Sequence, residues 1–233
     1  MKTPILTALA LGLMLSAASA ADLDKKIADP AVDPANTAST ETAVLAGGCF
    51  WGQQGVFEHV KGVTHVTAGY SGGAKETAFY PVVGTETTGH AESVQITFNP
   101  KVVSFGKLLQ IYFSVAHDPT ELNFQGPDHG SSYRSEIFFT SPDQEKTARA
   151  YVAQLNGAHV FSGPIVTKIE PLKGFYQAEG YHQDYLIHNP TAGYIVYNDL
   201  PKIAALKSVW PQYYQAAPVA FAQAHTPSLR DPS

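Results

Sequence analysis

The sequence predicts an α+β fold: a two-layer sandwich on a split βαβ core of the ferredoxin-like type, carrying long functional loops. Two observations lead there. Apolar or alternating runs and helical runs succeed one another in the order β-α-β-β-α-β, with a further α-β pair behind them. Between them lie three long stretches, 71–90, 117–135 and 171–190, which hold most of the Gly, Asn, Asp, His and Tyr. Loops of that length in a small domain are more often functional than idle.

The elements follow in order. Residues 43–47 form a short apolar run that reads as a strand, and 50–60 reads as a helix. Residues 63–70 make a second strand. In 92–98 the alternation is clean: Val94, Ile96 and Phe98 face one side, and Ser93, Gln95 and Thr97 the other. Ser104 is placed to cap a helix whose Phe105, Leu108, Leu109, Tyr112 and Phe113 form one apolar face. Residues 136–140 read as a short strand. Ser141-Pro142 then opens a second clear helix, with Gln144 completing a capping box and Asn156-Gly157 ending it. Residues 165–169 supply one more strand.

The ends are of a different character. Lys2, the apolar run 5–15 and Ala18-Ser19-Ala20 have the order of a secretory signal over 1–20, too short to span a bilayer. Residues 21–42 read as a linker or wrapped arm, and 215–233, with Pro218, Pro227 and Pro232, as a C-terminal tail. What remains, 43–214, fits one catalytic domain. The expected location is periplasmic or secreted. The net charge of −5 gives no reason to expect nucleic acid. No repeat, heptad or membrane span is visible.

Cys49 is the one cysteine in 233 residues. No intrachain disulfide can form, and an unpaired thiol in an oxidising compartment is a liability unless buried or used. Two glycines precede it and two bulky aromatics follow, at a strand-to-helix turn. The helix N-terminus there favours thiolate over thiol, which suits a nucleophile; a small buried hydrophobe is the other reading. Glu92 shares a strand face with Val94, Ile96 and Phe98. Lost hydration on that face raises its pKa and fits a general acid, whereas at the strand end it reaches solvent. Tyr80 and Tyr133 sit in Gly- and Ser-rich stretches, where a phenol either donates to an anionic oxygen or simply packs. Asp128, within Gln125-Gly126-Pro127-Asp128-His129-Gly130, and Asp118 have turn or cap roles open to them. The nine histidines show no ligand-like pairing, so neither a metal nor another cofactor is expected.

Several separated motifs resemble those of the A-type methionine sulfoxide reductases, which act on the S epimer. They are Gly48-Cys49-Phe50-Trp51-Gly52, Gly69-Tyr70-Ser71-Gly72-Gly73, Thr88-Gly89-His90-Ala91-Glu92, His117-Asp118-Pro119-Thr120, Tyr133-Arg134-Ser135 and Ala178-Glu179-Gly180-Tyr181-His182-Gln183-Asp184-Tyr185. The resemblance implies roles by position. Cys49 attacks the sulfoxide sulfur, Phe50 and Trp51 wall a pocket for the substrate methyl, and Glu92 protonates the departing oxygen. Tyr80 and Tyr133 hydrogen-bond that oxygen, and Asp128 organises the polar side. The substrate is oxidised methionine, free or in proteins, and Cys49 ends as a sulfenic acid.

The chain departs from the family pattern at Thr77-Ala78-Phe79, where Asn-Pro-Thr is common, at Gln54 for a frequent Glu, and at Gly180 for Asp. It also lacks a C-terminal resolving cysteine, which marks a single-cysteine type. The implied partner is an external thiol reductant: a thioredoxin- or glutaredoxin-like protein, or a small thiol. The alternatives are a cysteine hydrolase using Cys49 with His182 and Asp184, and a non-catalytic sulfoxide-binding or redox-sensing module.

Overall fold

Strand β1 (Glu41–Ala46) shows how the chain divides its interior. Ala43 and Leu45 enter the main core, while Val44 and Ala46 enter a smaller cluster on the opposite sheet face with Ala91 and Phe138. Both faces are covered, so this strand reads as a continuous apolar run.

The computed structural model describes residues 24–221. After β1 come α1 (Phe50–Glu58), β2 (Val63–Ser71), the short α2 (Tyr80–Val83), β3 (Ala91–Phe98) and α3 (Phe105–Ile111), which runs on into a π-helical turn, Tyr112–Ala116. A two-residue hairpin follows, β4 (Phe124–Gln125) and β5 (Asp128–His129), then β6 (Glu136–Phe139), α4 (Pro142–Gly157), β7 (Lys168–Pro171) and β8 (Phe175–Gln177). The chain closes with α5 (Tyr185–His188), a π-helical turn at Ile195–Asp199, and α6 (Leu200–Val209). The result is a mixed α/β fold on a six-stranded sheet, ordered β7-β6-β1-β3-β2-β8. The β6/β7 pair is parallel and the other neighbours are antiparallel.

The main core joins Val94, Ile96 and Phe98 of β3 to Phe50, Val56 and Phe57 of α1, Leu108 and Leu109 of α3, and Tyr151 and Leu155 of α4. Ser104 Oγ accepts from the Lys107 N–H at 3.2 Å, and Ser141 Oγ from the Gln144 N–H at 3.2 Å. The expected capping box is shifted: Gln144 Oε1 accepts from the N–H of Thr140, one residue before the cap, at 3.0 Å. Its Nε2 donates to Thr42 O at 2.9 Å, which ties α4 to β1.

Other expectations need correcting. The strand expected at 165–169 begins at Lys168. The Ile165 N–H is taken by the Asn156 side chain and the Val166 N–H by Pro119 O, so pairing with β6 starts only beyond them. The expected loops contain structure: α2 lies in 71–90, the β4–β5 hairpin in 117–135, and β8 and α5 in 171–190. The C-terminal α6 was not anticipated.

The described part of 21–42 is tied to the domain: Ile27 is buried in the main core, and Glu41 and Thr42 already belong to β1. Gln110 Nε2 donates to Ile27 O at 2.8 Å, Tyr151 Oη donates to Ala28 O at 2.7 Å, and Asp33 Oδ1 accepts from the Gly106 N–H at 3.0 Å. The signal segment 1–20 lies outside the described residues, as does most of the tail. Among the described residues no helix is long and apolar enough to cross a membrane.

Candidate active site

The turn between β1 and α1 is built around Gly48. Its φ of +88° is open to glycine, and a Cβ there would sit 2.8 Å from Gln125 Cβ. The Gly48 N–H donates to Tyr133 O at 3.2 Å, which brings the Ser131–Tyr133 turn against the start of α1. Cys49 follows as the N-cap residue, only 7% exposed.

Glu92 reaches the same turn from β3. Its Oε2 accepts the Phe50 N–H, a free donor in the first turn of α1, at 3.0 Å. Glu92 is 3% exposed and does not reach solvent. Burial, reinforced by the charges of Asp128, Glu86 and Asp199 and opposed by the Phe50 N–H, pushes its pKa up to about 8. At neutral pH it is a carboxylic acid.

Cys49 corrects an expectation. A helix N-terminus alone favours thiolate, yet burial pushes this thiol well above its ordinary pKa, and Glu92 and Asp199 push the same way. The Trp51 N–H opposes them and loses. Partial charges at one helix end do not outweigh lost hydration beside acids. The resting pair is therefore thiol and carboxylic acid.

The tyrosines complete this face. Tyr80 opens α2, and its N–H donates to Glu179 Oε1 at 2.8 Å. Its phenol is held above the usual range by burial, then by Glu92 and Cys49. Tyr133 is raised by burial, then by Glu92, Tyr80, Asp128 and Cys49. Both phenols remain protonated donors, and both sense the nucleophile and the acid. Asp128 is placed by the β4–β5 hairpin and accepts a hydrogen bond from Tyr194 Oη.

Of the two aromatics after Cys49, Phe50 is fully buried, with its ring 5.0 Å from His182 and 5.7 Å from Tyr70. Trp51 is partly exposed. It stacks on Tyr185 at 3.8 Å, meets Tyr194 edge-on at 5.8 Å, and donates from Nε1 to His182 Nδ1 at 3.1 Å. The segment carrying His182 and Tyr185 is locked to β2 and α1. Gln183 accepts from the Ala68 N–H and donates to Ala68 O, both at 2.9 Å, and the Asp184 N–H donates to Gln54 Oε1 at 3.0 Å.

His182 is thus a positioning group for Trp51. Its Nε2 has no hydrogen-bond partner among the described residues, and Asp184 accepts from the Phe221 N–H at 2.9 and 3.0 Å. The Cys-His-Asp relay that a hydrolase requires is not assembled. Among the described residues no cluster of three His, Cys, Asp or Glu side chains is arranged to hold a metal.

Sequence reasoning missed Tyr194 and Asp199. Asp199 is fully buried at the end of the π-helical turn, with Lys202 Nζ 3.2 Å from its Oδ1. It packs against α1 so closely that a Cβ on Gly52 would lie 2.1 Å from that oxygen. The polar run Tyr197-Asn198-Asp199 before Pro201 was the available signal.

A family model for peptide methionine sulfoxide reductase matches residues 41–214. The chain is 59% identical to peptide methionine sulfoxide reductase MsrA 2 of Mesorhizobium japonicum, over 77% of this chain and 92% of that protein. It is 46% identical to MsrA 2 of Synechocystis, over 82% and 92%. Among solved structures it is similar to reduced Mxr1 from Saccharomyces cerevisiae, with a TM-score of 0.59 and 33% identity over 69% of this chain and 91% of that one. It is also similar to methionine sulfoxide reductase A of Corynebacterium diphtheriae, with a TM-score of 0.58 and 34% identity over 68% and 79%.

Proposed function

This chain belongs to the peptide methionine sulfoxide reductase family, and we propose that it reduces the S epimer of methionine sulfoxide, free or in proteins, with Cys49 as nucleophile and Glu92 as acid. It is an oxidoreductase that uses thiols to return methionine sulfoxide to methionine. The observation that carries the assignment of roles is the 3.0 Å bond from the Phe50 N–H to Glu92, which holds the buried carboxyl one residue from the thiol.

The chemistry asks for that pairing. A sulfoxide sulfur is a poor electrophile until its oxygen gains a proton or strong donors. With the methyl against Trp51 and Phe50, the oxygen faces Glu92, Tyr80 and Tyr133. Glu92 gives its proton to the oxygen as the Cys49 sulfur attacks, and the thiol proton replaces the one Glu92 gave. Two electrons pass from the cysteine sulfur to the substrate sulfur. The S–O bond of the substrate breaks, and oxygen and proton remain on Cys49 as sulfenic acid. Asp128, held by Tyr194, lines the polar side. The reductant is an external thiol, since Cys49 has no second cysteine to meet.

The inner strands, in the antiparallel order β6-β1-β3-β2 with α1 after β1 and α3 after β3, support the split βαβ reading of the core. We read residues 1–20 as a signal for export to a periplasmic or extracellular setting, 21–42 as an arm, 43–214 as the catalytic unit and 215–233 as a tail. Turnover of separated S and R sulfoxides with dithiothreitol tests the functional reading. A pocket with methyl and oxygen in fixed places reduces the S form and leaves the R form, and comparable rates on both contradict it.

A further inference from the structure

We propose that the C-terminal stretch 215–221 is a strap that sets the wall receiving the substrate methyl, and that Asp184 is the positioning residue through which it acts. The inference rests on the reading of Trp51 as that wall. The strap meets α1 at the end away from Cys49, where the last carbonyls have no partner within the helix. Glu58 O accepts from the Val219 N–H at 3.0 Å and from Gln215 Nε2 at 3.1 Å, and His59 O accepts from the Gln215 N–H at 2.8 Å. The strap then reaches Asp184. The Phe221 N–H is shared between its two carboxyl oxygens, at 2.9 and 3.0 Å, while the Phe221 ring lies 5.2 Å from that of His65 on β2.

Asp184 is placed to pass that contact on. It is 6% exposed, and its φ of +53° lies in the left-handed region, which a residue with a Cβ keeps when its surroundings hold it there. Its N–H donates to Gln54 Oε1 at 3.0 Å, which fixes the backbone to α1, and its carboxyl is held by the strap. The neighbouring residues are those that fix the indole. Tyr185, the next in the chain, stacks on Trp51 at 3.8 Å. His182, two residues before, accepts from Trp51 Nε1 at 3.1 Å. A change of φ at Asp184 turns Tyr185 relative to His182, so the indole cannot keep both contacts.

The strap bears on fit and not on the thiol–acid pair. Glu92 is joined to the first turn of α1 by the Phe50 N–H, and none of the strap's bonds given above reaches Glu92 or Cys49. A small substrate group is recognised by close fit, so a loosened indole weakens binding of the methyl sulfoxide and admits a larger group in its place.

The test follows single-turnover release of the thioether product by full-length chains, over a range of concentrations of methyl and ethyl S sulfoxides. Phe221→Ala removes the ring and keeps the N–H, whereas Phe221→Pro removes both. Phe221→Pro should raise the half-saturating concentration of the methyl sulfoxide about threefold to tenfold. It should leave the maximal rate almost unchanged and narrow the preference for methyl over ethyl. Phe221→Ala should stay close to wild type. Asp184→Asn keeps a residue tolerant of positive φ but replaces one accepting oxygen with a donor, and should shift the same quantities in the same direction. In a Trp51→Ala background Phe221→Pro should add nothing, because the indole it positions is gone. The proposal is overturned if Phe221→Pro or Asp184→Asn matches wild type, or if Phe221→Ala loses as much as Phe221→Pro. It is equally overturned if the loss lies in the maximal rate alone, or if the effects of Phe221→Pro and Trp51→Ala simply multiply. Unchanged methyl preference in Trp51→Ala would overturn the reading of the wall itself, a distinct result because the strap is intact in that variant.

Discussion

Glu92 on β3 and Phe50 on α1 are joined by one hydrogen bond, from the Phe50 N–H to Glu92 Oε2 at 3.0 Å. That bond couples the acid to the helix that carries the nucleophile, so carboxyl and thiol keep their relation whatever the loops do. It also accounts for how a buried acid is tolerated: the bond satisfies one oxygen, and burial keeps the proton on the other.

Glu92→Gln retains a hydrogen-bonding side chain but cannot transfer a proton. First-turnover methionine release should fall by about 10²–10⁴-fold with the fold unchanged. The pH profile gives an independent reading. Glu92, with a pKa of about 8, is protonated below that value and ionised above it. The wild-type rate should therefore fall as pH rises through about 8, and that descending limb should vanish in Glu92→Gln. A variant within a few-fold of wild type would show that protonation comes from elsewhere.

Trp51 is held by Tyr185 stacking and by its bond to His182. A methyl group is a small handle, worth about 1 kcal/mol of burial, so the wall must fit closely to use it. Trp51→Ala should lower kcat/KM by about tenfold to a hundredfold and narrow the preference for methyl over ethyl sulfoxides. Unchanged kinetics would mean that the indole serves packing alone.

Much of this was legible in the chain, and the misses share a cause. Alternation along β3 placed Glu92 on the core face, and the glycines before Cys49 marked the turn. Both are local signals. The protonation of Cys49 was not legible, because it depends on burial, then on Glu92 and Asp199, which only the folded chain brings around the thiol. Tyr194 and the His182–Trp51 bond were hidden for the same reason. The elements that carry them, the three-residue turn Gly180–His182 and the five-residue turn Ile195–Asp199 that Tyr194 opens, are too short to show a period.

Glu58 offers a stability prediction outside the chemistry. It is buried in α1 facing Asp184, and burial followed by that neighbour raises its pKa from 4.5 to about 10. The folded state keeps a proton that the unfolded chain releases. Its contribution is thus fully present below about 4.5 and is lost as pH rises towards about 10. Glu58→Gln removes that loss and should stabilise the protein by about 1–3 kcal/mol at pH 8, with a flatter dependence of stability on pH. Denaturant unfolding at several pH values measures both. Equal pH slopes in variant and wild type would show that Glu58 is not the group responsible.

The central claim is that Cys49 takes the oxygen from methionine sulfoxide and, lacking a second cysteine, keeps it. Intact-mass analysis after a single turnover without reductant tests this directly. The account predicts one methionine released per chain, the mass of one added oxygen located at Cys49, and capture of that species by dimedone. Methionine release with no oxygen on Cys49, or a covalent dimer in full yield, would contradict it.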